Sequence, residues 1–176
     1  MMHALVALLL LAAPAAAFAQ SPTEFDDWNR FGVGTTATLE MVSDDGKSKV
    51  TTIEVFTLKK KEADKITLSG ESVTEGTQKD SGERVISKEK KRGECKTCKK
   101  LHKEATLKEK GKEKLKIGSK EIEATIVETT TYGCEEKEAM TYRSWLSKDV
   151  PGGLLKMEAT SDGFKVTVTL KSFEIK

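Results

Sequence analysis

The sequence predicts an all-β domain: an antiparallel meander of about ten strands forming an open or half-closed barrel, preceded by a short N-terminal helix. Three observations carry this reading. From Thr35 onward, β-branched residues alternate with Lys and Glu, as in strands with one buried and one wet face. Asp-Gly and Gly-Ser pairs punctuate these runs where hairpins need a positive φ. Leu-rich stretches of helical period are scarce. So many short-linked strands have to curl or close to hide their edges, which favours the barrel and makes a two-sheet sandwich the second architecture.

The chain opens with an unbroken apolar run, Ala4 to Ala13, then Pro14 and Ala17-Phe18-Ala19. The run is shorter than the about 20 residues a membrane-spanning helix needs, and the small-x-small end suits signal peptidase. Residues 1–19 therefore read as a signal peptide cleaved ahead of Gln20, although Met1-Met2-His3 lacks the usual Lys or Arg. An uncleaved anchor is the alternative. No Cys follows the site to carry a lipid. The expectation is a periplasmic or secreted protein with one β-rich domain, residues 20–176, and no transmembrane span once the signal is removed.

Ser21-Pro22-Thr23-Glu24 has the form of a capping box, and Phe25, Trp28 and Phe31 fall three apart along one side of the helix it would start. This helix is expected to plug an edge or the open mouth of the sheet. Gly32 and Gly34 end it. Strands follow at Thr35 to Val42, Lys49 to Leu58, Lys65 to Val73, Glu83 to Lys90, Leu101 to Lys108, Glu113 to Ile117, Glu121 to Thr131, Ala139 to Leu146, Leu154 to Thr160 and Phe164 to Ile175. Asp44-Asp45-Gly46-Lys47, Gly118-Ser119 and Ser161-Asp162-Gly163 supply turns, making consecutive strands antiparallel neighbours. In the last strand Phe164, Val166, Val168 and Leu170 share one side but Phe173 and Ile175 are out of step, so a bulge near Lys171-Ser172 is expected.

The formal net charge of +2 is unevenly spread: residues 88–116 hold 13 Lys or Arg against 5 Glu. Such a block suits an anionic surface or acidic partner, and equally a solvated charged hairpin. It contains no aromatic residue, so it offers no stacking platform, and no nucleic acid is expected.

Cys95-Lys96-Thr97-Cys98, with His102 four residues on and Cys134 far along the chain, leaves three readings open. One is a disulfide among Cys95, Cys98 and Cys134, favoured by export. Another is a zinc site of Cys95, Cys98, His102 and Cys134, since thiolate and imidazole suit Zn²⁺ and C-x2-C gives two ligands from one turn. The third is thiol exchange, with neighbouring lysines favouring thiolate. Beyond the zinc alternative no cofactor is expected. Conventional catalytic arrangements are not evident: His102 is the one histidine outside the leader and no G-x-S-x-G elbow occurs. Gly32-Val33-Gly34-Thr35-Thr36-Ala37 mimics a dinucleotide fingerprint but follows a helix and opens a strand, the reverse of the required context. No catalytic residue is assigned and an enzyme is not expected.

Trp145-Leu146-Ser147, then Val150-Pro151-Gly152-Gly153 and Leu154-Leu155-Lys156, resembles a block in exported bacterial β-sheet proteins. Trp28-x-x-Phe31-x-x-Gly34 and the closing amphipathic strand fit the same layout. More distantly the chain resembles the curved half-barrels of periplasmic lipoprotein carriers, which enclose acyl chains. The reading adopted is a non-enzymatic binding module that holds a lipid-like or other apolar ligand in a curved sheet, with Trp28, Phe31, Trp145 and Met157 expected to line the site. Core packing is the alternative role for these four, and an envelope interaction protein using its basic hairpin is the alternative function.

Overall fold

The structure, a computed structural model, describes residues 24–75, 79–89, 105–132, 139–161 and 163–176. A six-residue helix, α1 (Glu24–Asn29), precedes nine strands: β1 (Thr36–Asp44), β2 (Lys49–Lys61), β3 (Lys65–Thr74), β4 (Asp80–Ser87), β5 (Thr106–Ile117), β6 (Lys120–Tyr132), β7 (Ala139–Leu146), β8 (Leu154–Ser161) and β9 (Phe164–Glu174). All pair antiparallel in one open sheet of order β4-β3-β2-β1-β9-β8-β7-β6-β5.

Local sequence sets the hairpins. At the β1–β2 turn the Asp45 carboxylate accepts hydrogen bonds from the Lys47 and Ser48 amides at 2.9 and 2.6 Å, and Gly46 takes the positive φ of 78° that the turn demands. Those amide donors hold the Asp45 carboxyl below its ordinary range. Gly118-Ser119 forms the expected two-residue connection, with Ile117 directly opposite Lys120.

The open, all-β antiparallel sheet with a short N-terminal helix is as expected, and two details differ. The meander is interrupted, because β4 and β5 are not neighbours and β1 pairs with β9 instead. Pairing first with last strand joins two antiparallel runs, β1–β4 and β5–β9, and leaves β4 and β5 as the edge strands among the described residues. Ten strands also become nine. The runs predicted at Leu101 to Lys108 and Glu113 to Ile117 give a single strand, β5, whose described part begins at Thr106. Gly111, between the two predicted runs, lies in a continuous ladder beside an unpaired Lys110, where its φ of 132° fits a bulge. The bulge expected in the last strand is present: Ser172 pairs with Thr38 and Leu170 with Leu39, leaving Lys171 without an opposite residue. Similar register shifts leave Lys59 on β2 and Leu155 on β8 unpaired. Each bulge bends its strand and adds twist, so the sheet curls.

The main core joins Phe25 and Trp28 of α1 to Ala37, Leu58, Ile66 and Leu68 of β1–β3, and to Ile122, Ala124, Trp145, Leu155 and Leu170 from the other half of the sheet. A second cluster gathers Met41, Met157 and Val168, with Leu39, Tyr142, Leu154, Ala159 and Val166 packed against it. Leu39 touches both clusters, so apolar contact runs on from one to the other.

Candidate functional site

Six residues cannot form a stable helix alone, so α1 has to be held from outside. Arg84 on β4 donates to Glu24 Oε1 at 2.6 Å at its first turn, where a carboxylate also suits the helix dipole. At the other end Lys61 Nζ donates to the Phe31 carbonyl at 2.9 Å and to the Asn29 carbonyl, satisfying acceptors the helix leaves open. Arg30 reaches the Lys148 carbonyl at 3.2 Å.

The Val-Pro-Gly-Gly block completes this seat. Gly152 and Gly153 have φ of 74° and 73°, and a Cβ on Gly152 would lie 2.8 Å from Trp28 Nε1, one on Gly153 2.8 Å from Asp27 Oδ2. The two glycines thus serve both the turn and close approach of the helix. The C-terminus joins the same region: the Lys176 amide donates to the buried Thr35 hydroxyl at 3.1 Å, and a Cβ on Gly32 would collide with the Lys176 carbonyl.

Register defines one face of the sheet beyond α1. Residues directly opposite one another share a face, and the row Val127, Ser144, Met157, Val168, Met41, Thr52, Thr74 runs unbroken from β6 to β3. It is apolar through β8, β9 and β1 and turns polar at β2, where the Thr52 and Thr74 hydroxyls meet at 2.9 Å. The neighbouring row runs from Leu170 through Leu39 and Glu54 to Ser72 and Asp80. Glu54 is only 8% exposed. Burial pushes its carboxyl above the ordinary range, with the Arg84 charge pulling the other way. Beside it, Phe56, Gly70 and Gly82 lie opposite one another; the Phe56 ring sits over Gly70, and the Arg84 guanidinium is 5.7 Å from that ring's centroid. A Cβ on Gly82 would meet nothing within 4 Å, so the surface there is open.

The four residues singled out for a ligand are all buried but do not converge. Trp28 and Trp145 belong to the main core, and Met157 belongs to the second cluster. The separation follows from register, since Ser144, not Trp145, lies opposite Met157. Trp145 is fully engaged: its indole donates to Glu113 Oε2 at 2.7 Å, and Lys156 Nζ lies 4.6 Å from its ring. Phe31, just past the helix, is 9% exposed. An open cleft of about 460 Å³ between the β5–β6 turn and the end of β9 is lined by Lys120, Ile122, Asp149 and Phe173 among others, and by none of the four.

Cys95, Cys98, His102 and Cys134 lie outside the described residues, as does the centre of the basic block. Among the described residues no cluster of three or more His, Cys, Asp or Glu is placed to hold a metal, and no helix is long and apolar enough to cross a membrane. On β5 the basic segment is largely self-neutralised, with Lys110, Lys112 and Lys114 paired to Glu128, Glu123 and Glu121 at 2.8, 2.9 and 3.0 Å.

Sequence reasoning missed Glu54 and Arg84. Glu54 shares a strand side with Phe56 and Leu58, an acid on an apolar side, but Ile53 and Val55 make the other side of β2 apolar too. Alternation alone therefore gave no sign of which side is buried.

No protein-family model matches the chain, and no curated protein does. Solved structures do. An exported-protein candidate with a YmcC-like fold from Bacteroides fragilis matches with a TM-score of 0.52 at 9% identity, covering 82% of this chain and 97% of that one. A lipoprotein candidate from Parabacteroides distasonis follows at 0.48 and 8%, covering 82% and 96%. Lipoprotein LppX of Mycobacterium tuberculosis gives 0.42 and 11%, covering 90% and 95%. At such identities the likeness is one of fold alone, and it shows that this chain is similar to the YmcC-like fold over nearly the whole length of the Bacteroides protein.

Proposed function

We propose that the protein is an exported, non-enzymatic binding module that holds a lipid-like ligand on the curved face of its open sheet. One observation carries the reading. The partly exposed Leu39, Tyr142, Leu154, Ala159 and Val166, packed over the buried Met41, Met157 and Val168, form an apolar patch to which no residue of α1 belongs. The sheet that bears it has β4 and β5 as its edge strands among the described residues. An apolar concave surface with a few polar groups at one end is the usual form of a small-molecule site. Of the four residues first considered, Met157 packs beneath this patch. Trp28, Phe31 and Trp145 serve as packing that fixes its shape.

Displacement of an environment-sensitive hydrophobic dye by long-chain amphiphiles tests the reading. Met157→Asp is expected to weaken both dye and amphiphile binding by about tenfold or more, the scale of a charge forced into an apolar contact. Undiminished binding by a folded Met157→Asp variant, or no amphiphile binding by the unaltered protein, would refute it. Export is tested separately by intact mass from the native compartment, where the chain is expected to start at Gln20.

A further inference from the structure

Glu54 is a buried acid without a hydrogen bond or ion pair among the described residues, although it sits on the face that carries the apolar cluster. Among the described residues the cation nearest to it in the fold, Arg84, is committed to Glu24 at 2.6 Å, and the row that holds Glu54 continues through Ser72 to the exposed Asp80. A buried carboxylate left in that state is costly unless a cation or donor reaches it. Directly opposite Glu54 on β1 is Leu39, which leads into Met41, Val168 and Met157. Toward the free edge, the surface over Gly82 is open, and the Thr52, Ser72 and Thr74 hydroxyls offer further hydrogen-bonding groups.

We infer that this end of the face is a head-group site, in which Glu54 binds the ammonium of a cationic amphiphile whose chain lies over Leu39, Val166 and Leu154, the partly exposed residues that cover Met41, Val168 and Met157. The inference rests on the binding reading above and adds the class of ligand. A single positive head offsets the uncompensated carboxylate, the threonine and serine hydroxyls accept its remaining N–H groups, and the β4 edge admits it. An anionic head would meet the Glu54 carboxylate with no bonded cation beside it among the described residues.

The test compares three probes of one chain length, decylammonium, decanol and decanoate, below their aggregation thresholds at neutral pH, by calorimetry or dye displacement. Decylammonium is expected to bind about tenfold tighter than decanol, the scale of one charge-assisted hydrogen bond in a desolvated site, and decanoate weakest. Glu54→Gln is expected to bring decylammonium down to the level of decanol while decanol binding stays unchanged, which also reports that the variant is folded. Ser72→Lys, which sets a tethered ammonium across from Glu54 at a partly exposed position, is expected to abolish the same preference without touching the buried residue. Equal binding of all three probes, or a preference that survives both variants, would overturn the head-group site and leave the binding reading standing. Failure of all three to bind would remove both.

Discussion

Gly152→Ala tests the seating of α1 most directly. At φ 74° an alanine pays the left-handed penalty of about 1–2 kcal/mol. Its Cβ would also lie 2.8 Å from Trp28 Nε1 and 3.2 Å from Trp28 Cε2, and Trp28 is only 3% exposed, so the indole cannot swing away without opening the core. Overpacking of this kind costs about 1–3 kcal/mol. The total is about 2–5 kcal/mol, or several degrees of Tm in a domain of this size. Gly46→Ala is the control, because Gly46 has nearly the same φ, 78°, yet a Cβ there would meet nothing within 4 Å. The difference between the two variants in urea denaturation isolates the Trp28 contact from the backbone penalty. Trp28 and Trp145 are the two tryptophans, so fluorescence in a Trp145→Phe background follows Trp28 alone. If Gly152→Ala costs no more than Gly46→Ala and leaves Trp28 emission unshifted, the Gly-Gly turn does not seat the helix and the argument fails.

Other outcomes follow from the same contacts. Arg84→Met should cost about 1–3 kcal/mol, because it removes a charge-assisted bond to a Glu24 side chain that is 9% exposed, and should raise hydrogen exchange in α1 before any other element. Lys61→Met removes the donor to the Phe31 and Asn29 carbonyls and should cost about 0.5–1.5 kcal/mol, seen as a lower urea midpoint with an unchanged slope. For Glu54 the folded carboxyl lies above its unfolded value, so the folded state holds its proton longer, and its contribution to stability falls as pH rises from the unfolded value through the folded one. Glu54→Gln removes that loss, and the stability gap should move in the variant's favour between acid and neutral pH; a gap independent of pH would show that Glu54 is not buried as described. Glu62, Glu71, Glu128 and Glu158, each held below the ordinary range by a lysine, act with the opposite sign, their contributions being lost as pH falls through their folded values.

The strands themselves were legible because their signals are local. Asp45-Gly46 and Gly118-Ser119 fix turns within four residues, and the out-of-step Phe173 marked the bulge at Lys171. Partner choice was not legible. Nothing in the alternation of β1 or β9 states that Thr36 to Asp44 will pair with Lys165 to Glu174 across most of the chain, since period two specifies a face and not a neighbour. The continuity of β5 across Gly111 was not legible for a related reason: a glycine at positive φ serves a turn and a bulge alike, and the ladder to β6 separates them. The Val-Pro-Gly-Gly block stood out as a motif, but its use as the surface that receives Trp28 and Asp27 depends on a helix more than a hundred residues earlier.

The β1–β9 pairing also decides where a ligand can enter. An open meander paired strictly in sequence order would place its free edges at the first and last strands. Here those strands are central, and β4 and β5 are the edge strands among the described residues. The β5 edge is guarded as exposed edges generally are, by lysines at 108, 110, 112, 114 and 116 and by the Lys110 bulge, which together discourage pairing with another chain. The β4 edge differs. Its Arg84 turns to the helix and its Gly82 leaves bare surface next to the row that carries Glu54. Access to the apolar face from the β4 side therefore passes the one buried acid without a bonded partner among the described residues before it reaches Leu39. A selective head-group site at that position would screen ligands on entry, so Glu54→Gln should change which amphiphiles bind more than how tightly the chain itself is held.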